Sequence, residues 1–130
     1  MSREVVSLIV FMLGVAGCGS ELRRAQVQKH PASAETLPVD FPPPAAEVEE
    51  LPPDPGEPCV WVDGRWEYLN RRWEWIGGSW VRPKSECLYS PPVMFWASHE
   101  LGGDLHYRPG RWHTSGGEPC DEPIACRLPD

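Results

Sequence analysis

The most regular hydrophobic pattern lies between Cys59 and Pro83, a stretch that reads CVWVDGRWEYLNRRWEWIGGSWVRP. Apolar and polar residues alternate there in short runs, which predicts β-strands with one buried and one exposed face. Three dipeptides interrupt the runs: Asp63-Gly64, Asn70-Arg71 and Gly77-Gly78. Asp-Gly and Gly-Gly favour type I′ hairpin turns, and Asn70-Arg71 would supply the third turn. The pattern therefore predicts a four-stranded antiparallel meander.

Two-residue turns would also fix the register of this meander. Trp61 is then expected opposite Trp66, Trp66 opposite Trp75, and Trp75 opposite Trp80. One face of the sheet would carry an aromatic set made of Trp61, Trp66, Tyr68, Trp73, Trp75 and Trp80. If the rest of the domain packs on this face, the rings are core. If the face is open, it is a platform for glycan, peptidoglycan or proline-rich peptide.

The chain beyond Cys87 predicts further strands over residues 93–98, 105–108 and 111–114, with turns at Gly102-Gly103 and Pro109-Gly110. If both turns contain two residues, His99 lies opposite His106 and His106 lies opposite His113, so the three histidines would form one row. Three imidazoles on neighbouring strands can bind zinc and leave a fourth position open, so a zinc-dependent enzyme is a third possibility. The alternatives are a register slip at Pro109, which cannot donate to a ladder, and a row of exposed polar side chains.

The segment before Cys59 has a different composition. Residues 31–58 contain nine prolines and seven acidic residues, with no lysine or arginine. Such a composition cannot form a core, and it predicts an extended, disordered spacer. We therefore divide the chain into residues 1–17, residues 18–58 with the spacer, and a small β-domain over residues 59–130.

The N-terminus has the pattern of a lipoprotein signal. An apolar run from Val5 to Ala16 is too short to span a bilayer, and small residues precede Cys18. Val15-Ala16-Gly17-Cys18 resembles the lipobox of bacterial lipoproteins, which implies cleavage before Cys18 and acylation of its thiol. The expected partner of the N-terminus is thus a membrane, reached through lipid. In bacterial lipoproteins, an aspartate directly after the lipidated cysteine is associated with retention in the inner membrane. Gly19 stands at that position here, so we expect the outer membrane of a bacterial envelope. The alternative is an ordinary secretory signal, or an uncleaved anchor in which the cysteine is incidental.

Four more cysteines remain in the predicted domain: Cys59, Cys87, Cys120 and Cys126. Outside the cytoplasm they are expected to form two disulfides, and three pairings are possible. Gly56-Glu-Pro-Cys59 recurs as Gly117-Glu-Pro-Cys120, each followed by one further cysteine, which hints at Cys59–Cys87 and Cys120–Cys126. A zinc site of four thiolates would lack the usual CxxC spacing.

Charge and motifs narrow the function further. The formal net charge is −7, which disfavours nucleic acid as a partner because phosphates would be repelled. The chain contains no GxSxG elbow, phosphate loop or HExxH motif. We therefore expect a noncatalytic protein without a cofactor, with a structural or protein-interaction role, or else a binding module for an envelope protein or glycan.

A repeat supports that expectation. Trp61-Val-Asp-Gly-Arg-Trp66 and Trp75-Ile-Gly-Gly-Ser-Trp80 are two copies of WxxGxW fourteen residues apart, and Tyr107-Arg-Pro-Gly-Arg-Trp112 is a third with tyrosine first. The pattern resembles the YXWGXW-repeat group of bacterial envelope proteins. That resemblance implies a short exported protein without an assigned activity, and so a location more than a reaction.

Overall fold

The computed structural model describes Gly19, residues 21–100 and residues 102–128. Within these residues the chain forms strands and turns and no helix, which confirms an all-β class of small antiparallel sheets stapled by disulfides. In chain order the strands are β1 (Leu37–Pro38), β2 (Val60–Val62), β3 (Arg65–Leu69), β4 (Arg72–Ile76), β5 (Ser79–Arg82), β6 (Cys87–Ser90), β7 (Val93–His99), β8 (Gly102–Arg108), β9 (Arg111–Thr114) and β10 (Ile124–Ala125).

Strands β2 to β5 form one long hairpin rather than a meander. β3 pairs with β4 and places Trp66 opposite Trp75, as expected. β2 pairs with β5, so Trp61 lies opposite Trp80, and the predicted pairings of Trp61 with Trp66 and of Trp75 with Trp80 are wrong. The β2–β5 and β3–β4 strand pairs share one continuous register, because each step along one strand is matched by one step back along its partner. We call residues 60–82 the first hairpin.

The backbone of the first hairpin explains this outcome. Asn70 and Arg71 have φ angles of 50° and 63°, and a type I′ turn needs such left-handed values at both central positions. The hairpin therefore turns there. Gly64 and Gly77 fall opposite each other where the ladder is interrupted between β2–β5 and β3–β4. Glycine inside a strand often permits a bend or a close approach, so these dipeptides form a bend and not two turns.

Residues 87–114 repeat the same design and form the second hairpin. β6 pairs with β9, β7 pairs with β8, and the register is again continuous. The predicted strands are present, but the predicted turn at Gly102-Gly103 is wrong because Gly102 already pairs with His99. The chain reverses between His99 and Gly102 instead. Pro109-Gly110 lies in the bend, where it interrupts the ladder between β7–β8 and β6–β9.

The two hairpins pack through apolar residues near their bases. Val62 and Val81 of the first hairpin are buried in one cluster with Tyr89 and Trp112 of the second. β10 extends the first sheet, with Ile124 opposite Arg82 of β5. Toward the hairpin tips, the chain before the domain contributes to a second cluster, which contains Val39, Leu105 and Tyr107. The core is thus a contact between hairpins and not the interior of one sheet.

The four cysteines form two disulfides, and the hinted pairing is wrong. Cys59 is bonded to Cys126, and Cys87 is bonded to Cys120. The sheet explains the first bond, because Cys59 precedes β2, Cys126 follows β10, and both strands flank β5. The repeated GEPC sequence does not govern the pairing. Each disulfide instead joins the start of one hairpin to the C-terminal segment.

The described residues before Cys59 lie against the domain. Arg23 and Ala25 exchange backbone hydrogen bonds with Trp61, and the amide of Gln28 donates to the carbonyl of Tyr89. β1 pairs with β8, with Leu37 opposite Tyr107. The predicted signal segment and the lipidation site Cys18 lie outside the described residues. In the described part of the chain, no helix suited to crossing a membrane is found.

Candidate functional site

The bend of the first hairpin gives the WxxGxW repeat a physical reason. A Cβ atom added to Gly78 would lie 2.4 Å from Cζ2 of Trp61. A Cβ atom added to Gly64 would likewise lie 2.4 Å from Cζ2 of Trp75. The first tryptophan of each copy therefore covers the glycine of the other copy. Any larger residue would collide with an indole. Each copy of the repeat therefore needs the glycine of the other copy.

Aromatic rings continue along the hairpin from its base to its tip. Trp61 and Trp80 meet edge to face with centroids 5.7 Å apart, and Trp66 and Trp75 do so at 5.3 Å. Near the tip, Tyr68 and Trp73 are 4.9 Å apart. Offset and edge-to-face contacts of this kind stabilise aromatic pairs beyond the area they bury. All six predicted aromatic residues thus take part in cross-strand pairs of the first hairpin.

The proline-rich chain lies across these rings. We call residues 39–54 the strap, and we call Trp66, Trp73, Trp75 and Trp80 the indole row. Nε1 of Trp73 donates to the carbonyl of Phe41 at 3.0 Å, and Nε1 of Trp66 donates to the carbonyl of Ala45 at 3.1 Å. At the base, Nε1 of Trp80 donates to the carbonyl of Pro52 at 3.2 Å. The strap therefore follows the hairpin from tip to base.

A carboxylate in the middle of the strap closes the bend. Both carboxylate oxygens of Glu49 accept from the amide of Gly78, each at 3.0 Å, and Oε1 also accepts from Nε1 of Trp75 at 3.3 Å. The amide of Gly78 and the indole N–H are thereby both supplied with an acceptor. Every indole N–H of the row has a partner on the strap.

Two further carboxylates hold the ends of the strap. Asp40 accepts from the Tyr68 hydroxyl at 2.9 Å and from Nη2 of Arg71 at 3.0 Å. The hydrogen bond from the Tyr68 hydroxyl is the largest single cause that lowers the pKa of the Asp40 carboxyl, followed by the hydrogen bond from Arg71 and the charge of its guanidinium. At the other end Asp54 pairs with Arg23, whose guanidinium carbon lies 5.9 Å from the centroid of Trp80.

Tyr107 connects the second hairpin to the indole row. Its hydroxyl donates to the carbonyl of Trp66 at 2.8 Å, and its ring lies 5.0 Å from Trp73. The side chain is 3% exposed. Burial, followed by the charge of Glu67, raises the pKa of Tyr107 to about 12. Tyr107 is therefore a neutral hydrogen-bond donor that fixes the distance between the hairpins.

Two cavities lie between the strap and the indoles. One of ≈ 210 Å³ is lined by Pro43 and Ala46 of the strap together with Trp66, Trp73 and Tyr107. The other, of ≈ 350 Å³, lies nearer the base between strap residues and the rings of Trp61 and Trp75. The strap thus contacts the row at its hydrogen bonds without filling the groove.

The three histidines predicted to form a row are separated. His99 pairs with Gly102 and lies 3.2 Å from Asp104, whereas His106 pairs with Phe95. His113 pairs with Leu88 on the other part of the second hairpin, because β9 pairs with β6 and not with β8. The predicted row is therefore wrong. Among the residues described, no group of three or more His, Cys, Asp or Glu is placed to hold a metal ion.

His113 has a different neighbour that the sequence did not indicate. Its ring is buried and lies 6.4 Å from that of His30, on the segment before β1. Nδ1 of each ring is buried and has no hydrogen-bond partner among the residues that the structure describes. Burial lowers the pKa of His30, so this imidazole is neutral near pH 7. The pair contributes to packing between the N-terminal segment and β9.

Sequence reasoning found the rings of the site but missed the groups that cover them. Asp40, Glu49 and the strap carbonyls were assigned to a spacer, and Tyr107 was noted for its place in the third repeat. The spacing of tryptophans in the hairpin and of acidic residues among the prolines was the available signal. No protein family, curated protein sequence or solved structure was found to match this chain.

Proposed function

We propose that the chain is a noncatalytic lipoprotein of the bacterial cell envelope with a structural or protein-interaction role. Acylated Cys18 anchors it, with the outer membrane as the proposed location. The lipobox-like sequence before Cys18 supports the anchor. Two disulfides support a location outside the cytoplasm, because cytoplasmic thiols are normally kept reduced.

The observation that carries the proposed role is the occupied indole row. All four of its N–H groups donate to the strap, so the rings hold the protein's own chain together. The functional groups of this site are indole N–H groups, aromatic faces and hydrogen-bonded carboxylates. Such groups hold an extended polypeptide, which favours a binding or architectural role over bond-breaking chemistry.

A partner would find exposed apolar side chains on the second hairpin. Trp96 is 69% exposed, and Val93 and Phe95 on the same strand are 42% and 36% exposed. β7 is also an edge strand, since its sheet has the order β1-β8-β7. An exposed aromatic residue on a sheet edge that no described strand pairs with supports a protein-interaction role.

The anchor is tested by metabolic labelling of the full chain with an alkyne fatty acid in a bacterial host. The full chain should take up label and sediment with membranes, and Cys18→Ala should do neither. A signal-cleaved but unlabelled protein in the soluble fraction would contradict the lipoprotein assignment. Acrylamide quenching of tryptophan emission tests the role: the strap predicts protection of most indoles, and ready quenching of the folded chain would contradict it.

A second candidate function is a binding module for proline-rich peptide. One observation favours it, namely that the segment on the indole row is itself proline-rich, with nine prolines in residues 31–58. Aromatic grooves recognise such segments because a polyproline conformation is already ordered before binding.

A further inference from the structure

The strap is held by features that many peptides share. Three of the four indole contacts are to backbone carbonyls, those of Phe41, Ala45 and Pro52. Every residue offers a carbonyl, so the row recognises the path of an extended backbone. Proline favours that path and leaves carbonyls without competing amide donors.

Two carboxylates of the strap determine which strap residue lies against which part of the first hairpin. Asp40 is bound by Tyr68 and Arg71 at the tip, and Glu49 is bound by Gly78 and Trp75 at the bend. These two acidic positions are nine residues apart in the strap. A peptide with carboxylates at that separation could satisfy both sets of donors at once.

Apart from Val39, which is 8% exposed and packs with Leu105 and Tyr107, the strap is weakly buried. Phe41, Val48 and Leu51 are 48%, 101% and 50% exposed, so these apolar side chains add little hydrophobic stabilisation. Two cavities remain beneath it, of ≈ 210 and ≈ 350 Å³. Segments with few buried apolar contacts open locally at low free-energy cost. The strap can therefore leave the row while the disulfide-linked hairpins stay folded.

We propose that the indole row is a binding site for an acidic, proline-rich, extended segment of another protein, and that the strap is its intramolecular competitor. This inference rests on the second candidate function above and names its ligand class. Because the strap is tethered, its effective concentration at the row is in the millimolar range, so the closed form dominates until a competing segment is supplied.

The test uses a synthetic peptide of residues 39–54 as the probe. The peptide contains no tryptophan, so protein emission reports binding directly. It is titrated into the intact chain and into a full-length variant whose residues 40–52 are replaced by glycine and serine. We expect binding at least about tenfold tighter to the replaced variant, because the tethered competitor is gone. A peptide carrying D40N and E49Q should bind about tenfold more weakly than the parent peptide.

Several results would overturn the proposal. Absence of binding to the replaced variant, with both disulfides and its near-UV circular dichroism intact, is one. Equal binding of a peptide whose prolines are replaced by alanine is another. A concentration-dependent dimer of the intact chain that the strap replacement abolishes would identify a second copy as the occupant.

A point variant tests the same proposal if the variant with the replaced strap fails to fold. Glu49→Gln in the complete chain should bind the peptide more tightly than the unaltered chain does, and Glu47→Gln is the matched control. If Glu49→Gln binds the peptide no more tightly than the unaltered chain, the proposal is overturned. Fatty-acid labelling at Cys18 is measured separately, so failure of the anchor and failure of peptide binding are distinguishable.

Discussion

The two long hairpins share one design and differ in what covers them. Each has a basal pair of strands, a bend and a distal pair. On the first hairpin the distal indoles are capped by the strap, whereas on the second Trp96 is 69% exposed. The same topology therefore serves two purposes, one face kept for the protein's own chain and one left for solvent or a partner.

The bends differ as well. In the first hairpin, indole rings lie directly over Gly64 and Gly78. In the second, a Cβ atom on Gly110 would lie 2.6 Å from the hydroxyl of Tyr89 and 3.1 Å from Cδ of Pro92. In both bends, therefore, side-chain rings pack directly against a glycine. The rings are those of tryptophan in the first hairpin and of tyrosine and proline in the second.

The largest expected effect is on the disulfides that join each hairpin to the C-terminal segment. Their sequence separations are 67 for Cys59–Cys126 and 33 for Cys87–Cys120. The second loop lies within the first, so with the other disulfide kept each bond closes a loop of about 34 residues. Loop entropy therefore predicts a similar loss of about 3.7 kcal/mol for Cys59→Ser with Cys126→Ser and for Cys87→Ser with Cys120→Ser. Urea unfolding of each double variant measures the loss, and clearly unequal losses would contradict this account.

The bend of the first hairpin should tolerate no side chain. Gly78→Ala would push against Trp61, and overpacking of this kind costs about 2–3 kcal/mol of unfolding free energy. Gly116→Ala is the matched control, because the nearest atom to its Cβ would be Oγ1 of Thr114 at 3.8 Å. Thermal unfolding compares them. Equal stability of the two variants would mean that the indole does not cover the glycine.

The bend of the second hairpin offers a rescue that the first does not. Gly110→Ala should cost about 1–2 kcal/mol because of the Tyr89 hydroxyl. Adding Tyr89→Phe removes that oxygen and leaves Cδ of Pro92 at 3.1 Å and Cζ of residue 89 at 3.3 Å, so the double variant should regain part of the loss. A double-mutant cycle from denaturant unfolding measures the coupling, and additive effects would contradict the contact.

Acid should loosen the tip of the strap. Hydrogen bonds from Tyr68 and Arg71 lower the pKa of Asp40 in the folded chain. A lowered folded-state pKa gives stability that is present above the ordinary carboxyl pKa and is lost as pH falls through the lower value. Tryptophan emission from about pH 5 to about pH 2 should shift to the red in the parent chain. In Asp40→Asn the red-shifted component should already be present at pH 5, and identical titrations would contradict the contact.

The smallest effect is expected on the second hairpin. Trp96→Ala removes a ring that is 69% exposed, so the free energy of unfolding should change by no more than about 0.5 kcal/mol. Urea unfolding measures it. A loss of several kcal/mol would mean that Trp96 is covered in solution.

Local rules predicted strands β2 to β5 and β7 to β9, the Trp66–Trp75 pair and the aromatic set, because alternation and turn residues act over short distances. They failed where two strong glycine dipeptides competed with Asn70-Arg71 for the turn. Glycine is equally suited to a turn and to a bend, and only the indoles that cross Gly64 and Gly78 decide between them. Disulfide pairing and the strap depend on contacts distant in sequence, which periodicity does not encode. The His99, His106 and His113 row failed for two reasons: His99 pairs with Gly102, so the predicted turn was misplaced, and β9 pairs with β6.

The central claim is that the strap covers the indole row, and nuclear Overhauser effects on the full-length chain test it most directly. The account predicts cross-peaks from the indole proton of Trp73 to residues near Phe41 and from that of Trp66 to residues near Ala45. The indole proton of Trp96 should show none to the strap. Absence of strap cross-peaks at Trp66 and Trp73, with random-coil shifts over residues 40–52, would contradict the account.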